Sequence, residues 1–521
     1  MKTLVLSLLR LGDFLQQVPL LEQLRSDGQD VHVLVNEGSA ELSSVFSDFK
    51  FHLLPRDTIQ RILIRRECNV LTAFQVVEEV TSELDSENFD VIENWTHNFL
   101  SARLMDLLTA PVKKGARFEA GRLVSPGKRL SYLNETWGPT KAASFHWIDA
   151  LARAMEHRSP PLTKADRHRM GPVYLQVLTS DEKKNWDLEQ WIDLADRLIE
   201  VGEDVRILCA PFEESRLRDS GFGARHQLCV LSLKELNHAL SGAKLVVTGD
   251  TSIAHWAALR RAPVLGLFLG SADPRKTAPR QIGTRILWSE VPCSPCRHRN
   301  PCSQAEHLCA VNLSTETVFK EVIQMIHQAP QILDSSSVRR MEVEEGSQGA
   351  AVLQMTGRRS INLWAQVVWD FYLNRDHENN VAPYASAART VLQSWGYQRG
   401  TQDWIQEMKE RLDVSFELIG IVSESLWEQM RSFNESSQLS PELDQRMTQA
   451  TERLSQMWRE ADFVTRLSEA QKSSDASPFV RIRQKKEALQ EVFELFSVQK
   501  NLVRVMDQEF KERGVCHGAR A

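Results

Sequence analysis

The sequence predicts an α/β fold of two Rossmann-like parallel-sheet domains facing a cleft, followed by an all-α C-terminal domain. Three observations lead there: Leu- and Val-rich strands alternate with helices, the alternation restarts after a polar stretch, and it ceases beyond about residue 330. The length agrees, since 521 residues exceed what one hydrophobic core usually sustains. Hydrophobic residues at 42% and charged residues at 25% exclude a disordered or fibrous chain. A formal net charge of -6 gives no basis for sequence-independent nucleic-acid binding, which needs clustered basic charge.

Residues 2–9 suit a strand buried on both faces of a parallel sheet. They mimic a signal peptide only superficially, because Arg10 and Asp13 interrupt the run where a cleavage site should follow. With no apolar stretch long enough to cross a bilayer, the chain reads as cytoplasmic, with at most a peripheral contact on the inner membrane face. A helix follows from Phe14 to Arg25, and Val31 to Val35 restores a strand. The alternation recurs at Val91-Ile92 and Leu100 to Leu108. Arg158 to Pro172 reads as a polar, proline-bearing divider. Beyond it come a strand at Tyr174 to Leu178, a helix at Leu188 to Glu200, and strands at Val205 to Cys209 and Leu245 to Thr248. The expected domains are two Rossmann-like ones over 1–165 and 166–330, a Ser/Glu/Gly-rich linker over 331–359 and a helical domain over 360–521. In the last, Ser440-Pro441 and Ser477-Pro478 read as helix starts. Leu443, Met447, Ala450, Leu454, Met457, Ala461 and Val464 form a heptad seam, and Leu489, Val492, Phe496, Val503, Met506 and Phe510 a second stripe broken by Gln499. An intrachain bundle accounts for both, because several comparable helices can cover one another.

Ligands of such sheets bind beyond the carboxyl ends of the strands, so the motifs there carry the chemistry. In LRLGDFLQQVPLLEQLR (residues 9–25), Gly12 permits a tight turn and Asp13 stands at a helix start, where on this segment alone it reads as a cap. In VVTGDTSIAHWAAL (246–259), backbone N–H groups around Asp250, Thr251 and Ser252 would face outwards at a helix start, a site for the negative charge of a diphosphate. His255, one turn further, is either a hydrogen-bond donor to phosphate or a packed side chain. GSADPRKTAPR (270–280) adds Asp273, Arg275 and Thr277 near the same strand ends. Trp95, Thr96 and His97 follow another strand and are candidate acceptor contacts, as is Gly12, with loop packing as the alternative.

Together these segments resemble glycosyltransferase family 9, the ADP-heptose:lipopolysaccharide heptosyltransferases being its best-known members. Gly12-Asp13 with Pro19-Leu20-Leu21 and Leu24-Arg25 matches the N-terminal pattern. Asp250, Thr251, His255, Ala257 and Ala258 match D-T-G-x-x-H-x-A-A, and Gly270, Asp273, Pro274, Thr277 and Pro279 match G-x-x-D-P-x-x-T-x-P. Lys184-Asn185-Trp186 resembles the family's K-x-W, and Glu213 falls where an acidic residue follows the next strand. The resemblance covers roughly residues 1–325 and implies a GT-B architecture and inverting sugar transfer without a catalytic divalent metal. It casts Asp13 as general base, Lys184 with the N–H groups around Thr251 and Ser252 as leaving-group stabilisers, and Glu213 as a ribose contact. ADP-heptose is the implied donor, and a lipopolysaccharide core, other glycan or protein the acceptor. Two departures stand out: Ser252 replaces the Gly of D-T-G, and the strand before Lys184 runs Gln176-Val177-Leu178-Thr179-Ser180 without the customary P-G turn. They sustain a second reading, a catalytically reduced binding module whose helical domain mediates protein interaction or homo-oligomeric assembly.

Cys293, Cys296, Cys302 and Cys309 form the tightest local pattern. Four thiols opening with C-x-x-C suit a structural zinc or iron ion, with unliganded loop thiols as the alternative. Cys68, Cys209, Cys229 and Cys516 stand apart from them in sequence.

Overall fold

The computed structural model describes residues 1–64, 70–119, 121–136, 144–223, 225–289, 291, 293–296, 300–327, 338–346 and 349–355, and in the C-terminal part 365–369, 372, 388, 391–392, 399–436, 440–458 and 478–518. The chain divides into two compact units. One comprises residues 1–140 and 145–358 and holds both sheets; the other is essentially 359–521.

The first sheet is parallel, with strand order β3-β2-β1-β4-β5, built from β1 (Lys2–Leu6), β2 (Asp30–Asn36), β3 (Lys50–Leu54), β4 (Val91–Asn94) and β5 (Val112–Lys114). Leu4, Leu6, Leu34, Leu54 and Ile92 are fully buried and join Leu84, Leu104 and Met105 from the covering helices in one core. That burial of alternating strand and helix faces is what makes a parallel sheet stable. A short hairpin, β6 (Arg117–Glu119) and β7 (Arg122–Val124), lies apart from it.

The second sheet has eight strands in the order β11-β10-β9-β12-β13-β15-β16-β17. Its parallel part comprises β9 (Val173–Gln176), β10 (Val205–Cys209), β11 (Gln227–Val230), β12 (Leu245–Gly249), β13 (Val264–Phe268) and β15 (Arg285–Ser289). Here β9, β12, β13 and β15 are buried at every position. The helices Leu188–Glu200 and Thr315–Ile326 bury Trp191, Leu194, Leu198, Val318 and Val322 against them. The two expected Rossmann-like halves are both present, and Leu188–Glu200 and Val205–Cys209 have the predicted limits.

The expected linker requires correction. Residues 338–345 and 351–355 are antiparallel strands, β16 (Val338–Glu345) and β17 (Ala351–Met355), which extend the second sheet past β15. Their charge disguised them, but several of those charges are paired or packed, Arg339 over the Trp288 ring among them. Arg340 Nε donates to Glu321 Oε2 at 3.1 Å, and Arg167 donates to Glu342 at 3.0 Å. Met341 and Val343 bury the other face. The divider over Arg158 to Pro172 is likewise tied down: β8 (Thr163–Lys164) pairs in parallel with β14 (Gln281–Ile282).

One buried ion pair locks this region. Arg280 donates to Asp149 Oδ1 at 2.7 Å and to the Pro160 carbonyl at 3.0 Å, while Asp149 Oδ2 accepts the Ala351 backbone N–H at 2.9 Å. Asp149 lies on the helix Trp147–Ala154, so the pair fastens that helix, the divider and the start of β17 to the loop after β13.

The second unit contains the long helices Arg399–Ser436, Pro441–Met457 and Pro478–Gly518. Ser440 caps Pro441–Met457, with Pro441 in the first turn as expected. Met447, Ala450 and Leu454 of the heptad seam are buried, as are Leu489, Val492, Phe496, Val503 and Met506 of the second stripe. They are covered from within the chain: Trp458 packs on Phe496 with ring centroids 5.2 Å apart, and its indole donates to Ser415 at 2.9 Å. The expected intrachain packing therefore holds among the described residues. Ala461, Val464 and Ser477 lie outside them, as does the side chain of Phe510.

Replacing Arg280 by Ala strands the Asp149 carboxylate in the interior, and breaking a buried pair in this way costs about 3–5 kcal/mol. Chemical denaturation of the variant is expected to show that loss in the transition of the first unit; an unchanged midpoint would contradict the assigned role.

Candidate active site

In both sheets the chain reverses its direction of strand addition at one place, between β1 and β4 in the first and between β9 and β12 in the second. Crevices form at such switch points because the loops that follow the two strands diverge to opposite faces. The predicted site residues occupy them. Asp13 follows β1, His97 follows β4, Lys184 follows β9, and Asp250 to Ser252 follow β12.

The helix Leu11–Ser26 begins earlier than expected, with Arg10 as its N-cap, so Gly12 lies inside the first turn and is not the turn itself. Its importance is space. A Cβ at Gly12 would lie 3.6 Å from Ser252 Cα and 3.7 Å from Ser252 Cβ, so the first turns of Leu11–Ser26 and Ser252–Leu259 abut across the two halves. Phe46 packs on Trp256 beside this contact, with centroids 6.3 Å apart.

Asp13 accepts the Arg10 backbone N–H at 3.2 Å and is half-buried, so the cap reading is correct as local structure. It does not exhaust the residue. Burial pushes the Asp13 carboxyl up from its usual range and the Asp250 carboxylate adds to this, while the Arg10 N–H and the charges of Arg10 and Lys184 oppose it. A carboxylate of the first half thus feels an acid and a base of the second.

Lys184 Nζ donates to Asp250 Oδ2 at 2.6 Å, and Thr277 Oγ1 donates to Asp250 Oδ1 at 3.1 Å. Asp250 is thereby held by a cation and a hydroxyl, and Lys184 keeps two further N–H donors. Thr251 caps the following helix by accepting the Ile253 N–H at 3.3 Å, and Ser252 is the first helical residue. His255 is buried, and burial lowers its imidazole to about 4, so it is neutral near pH 7. Asp273 chelates Arg275, with Nε at 2.9 Å and Nη2 at 2.9 Å, and Pro274 starts the short turn that presents Thr277.

The missing P-G turn before Lys184 is replaced by side chains. Thr179 N–H donates to Asn185 Oδ1 at 2.7 Å, and Thr179 Oγ1 donates to the Asp181 carbonyl at 2.8 Å. The short 3-10 turn Glu182–Lys184 is therefore closed without proline or glycine.

Other predicted residues fall differently. Glu213 Oε2 accepts the Ala210 N–H at 2.8 Å in the loop after β10, two strands from β12 and hence about 10 Å away across the sheet. Trp95 must be withdrawn as an acceptor contact. It is 0% exposed and its indole donates to Glu93 Oε2 at 2.9 Å, because so large a ring at a strand end is most stable inside the core. Thr96 joins the β1 and β4 ends, donating to the Leu6 carbonyl at 2.8 Å and accepting the Leu8 N–H at 2.8 Å. His97 retains its candidacy. Its φ is 54°, neither ring nitrogen has a hydrogen-bond partner, and burial lowers it to about 4.

Among the described residues, no group of three or more His, Cys, Asp or Glu side chains could hold a metal ion. Cys293, Cys296, Cys302 and Cys309 are nonetheless gathered: burial raises the Cys296 thiol and the other three raise it further. Their present arrangement does not fit a zinc or iron centre. Cys309 Sγ instead accepts the Gly270 N–H at 3.3 Å. Cys209 and Cys229 lie on the adjacent strands β10 and β11, where the Cys209 thiol donates to the Cys229 carbonyl at 3.9 Å. Cys68 lies outside the described residues.

Residues 77–307 match the model of Glycosyltransferase family 9 (heptosyltransferase). Over that stretch the chain is similar to family 9 glycosyltransferases. Lipopolysaccharide heptosyltransferase 1 of Escherichia coli is 26% identical over 296 residues, 53% of this chain and 89% of that one. The enzyme of the same name from Pseudomonas aeruginosa is 34% identical over 131 residues, 24% of this chain and 37% of its relative's length. Among solved structures, a family 9 glycosyl transferase from Veillonella parvula gives a TM-score of 0.48 at 14% identity, covering 63% of this chain and 98% of that one. E. coli heptosyltransferase WaaC with ADP-2-deoxy-2-fluoro heptose gives 0.44 at 17% identity, covering 62% and 99%.

Sequence reasoning singled out Asp13, Lys184, Asp250 and Thr277 and met Gly270 only as a motif position, without the packing around it. Gly270, at φ +59°, brings its Cα so close to Lys183 that a Cβ would lie 2.1 Å from the Lys183 carbonyl oxygen. Gly270→Ala is expected to lose roughly 1–3 kcal/mol from the left-handed backbone alone. Thermal melting checks this, and an unaltered melting temperature would show that the loop does not need glycine.

Proposed function

We propose that the chain is an inverting glycosyltransferase that moves a sugar, heptose first among the candidates, from a nucleoside-diphospho-sugar to a glycan, lipopolysaccharide-core or protein acceptor. One observation carries the reading. At the meeting of the two switch points, a carboxylate with a raised pKa, Asp13, stands within electrostatic reach of the Lys184–Asp250 pair and beside the N-terminus of Ser252–Leu259. A lysine with spare donors and a helix N-terminus together favour a diphosphate.

The chemistry requires an acceptor hydroxyl to attack the anomeric carbon as the bond to the diphosphate oxygen breaks. In this reading the hydroxyl proton passes to the Asp13 carboxylate. The electron pair of the broken bond stays on the diphosphate, where Lys184 and the free N–H groups at Ser252–Leu259 offset the new charge. Attack from the face opposite the leaving group inverts the anomeric centre. Thr277 and Lys184 hold the Asp250 carboxylate in place. Neutral His255 offers phosphate a hydrogen bond rather than a charge. Glu213 would take the nucleoside ribose, since a diphosphate and ribose extending from β12 reach the β10 loop. His97 and Gly12 would face the acceptor. ADP-heptose is the preferred donor because the E. coli and P. aeruginosa relatives are lipopolysaccharide heptosyltransferases.

Asp13→Asn keeps the acceptor for the Arg10 N–H and removes the base. Transfer from ADP-heptose, followed by ADP release, is expected to fall by roughly 10²–10⁴-fold with little change in donor affinity. Comparable turnover by both proteins excludes Asp13 as base, and donor binding without turnover over a broad acceptor panel would favour the binding-module reading. The raised pKa also sets the pH response. Only the ionised carboxylate accepts a proton, so kcat/KM is expected to fall as pH drops through an inflection above 3.8, the ordinary aspartate value.

A further inference from the structure

The cysteine-rich loop takes no part in the proposed chemistry, yet it grips the residues that present Lys184. His307 Nε2 donates to the Lys183 carbonyl at 2.8 Å, and because a carbonyl only accepts, the proton must sit on Nε2. The Lys183 ammonium donates in turn to the Asn300 carbonyl of the same loop. Gly270, packed against that Lys183 carbonyl, donates its N–H to Cys309 Sγ at 3.3 Å and accepts the Cys296 N–H at 2.9 Å. From the opposite side, the Asp181 carbonyl accepts the Lys184 N–H at 2.8 Å. The peptide joining Lys183 to Lys184 is thus clamped between the loop and the end of β9.

We infer that His307 is a positioning residue for Lys184. By fixing the Lys183 carbonyl, the imidazole fixes the plane of the Lys183–Lys184 peptide and with it the direction in which the Lys184 side chain leaves the backbone. A small rotation there is amplified along four methylenes into a displacement of the ammonium, which meets Asp250 at 2.6 Å. Misplacing a charged group by about 1 Å costs up to a hundredfold in transition-state stabilisation. The inference rests on reading Lys184 as the contact to the donor diphosphate. It gives the loop a task that needs no bound metal, because two of the four cysteines act through hydrogen bonds to Gly270 and the loop backbone supplies Asn300.

Calorimetric titration of the full chain with ADP tests this without an acceptor. His307→Leu retains bulk but lacks the donor, and is expected to weaken ADP binding roughly 3- to 10-fold, as loss of one hydrogen bond to a positioned peptide predicts. His307→Gln, whose amide restores a donor near the Nε2 position, is expected to recover most of that loss. The deciding measurement is the same substitution in a Lys184→Ala background, where His307→Leu should cause no additional loss if it acts through Lys184. Equal losses in both backgrounds overturn the inference and make His307 a packing residue, as does unchanged affinity in the single variant. His307→Phe serves as a second donor-less variant if the leucine protein does not fold. If the wild-type chain binds none of ADP, GDP and UDP, the diphosphate reading of Lys184 falls first and this inference with it.

Discussion

The geometry of the first unit depends on the buried Arg280–Asp149 pair. Both ends are desolvated, which is costly, and further hydrogen bonds to the Pro160 carbonyl and from the Ala351 N–H offset that cost. One interaction therefore joins four stretches distant in sequence. It anchors the helix Trp147–Ala154, which packs against Leu11–Ser26, and the loop that carries Thr277. The helix that carries Asp13 and the loop that steadies Asp250 share this support.

From that support follows the close contact of Gly12 with Ser252. Two helix N-termini meeting head to head would repel through their partial positive charge, and both bear acidic residues there, Asp13 on one and Asp250 just before the other. Two carboxylates so placed would in turn repel, and Lys184 stands between them electrostatically, lowering Asp13 while pairing with Asp250. The site is a balance of alternating charges in a region with little water. A diphosphate entering it would meet donors already oriented, and an acceptor hydroxyl would meet a carboxylate whose proton affinity burial has raised.

The departures from the family 9 pattern are absorbed locally. Thr179 and Asn185 close the turn that P-G would otherwise make, and Ser252 fits at the start of its helix, facing Gly12. The helical unit keeps its own apolar seams covered through Trp458, Phe496 and the Lys485–Asp444 pair at 2.6 Å.

The amino-acid sequence by itself determined the alternation of strands and helices, the limits of Leu188–Glu200 and Val205–Cys209, and the identity of Asp13, Lys184, Asp250 and Thr277. These follow from hydrophobic periodicity and from short motifs, both of which are local. Only the tertiary structure decided that Trp95 is a core residue, that 338–345 and 351–355 are strands, and that the cysteine loop seats against Lys183 and Gly270. Each of those outcomes depends on partners far along the chain: Glu321 for Arg340, Asp149 for Arg280, Lys183 for His307. A charged segment such as Val338–Glu345 carries no apolar period strong enough to announce a strand, and it becomes one where the fold pairs Arg340 with Glu321 and Glu342 with Arg167 and buries Met341 and Val343.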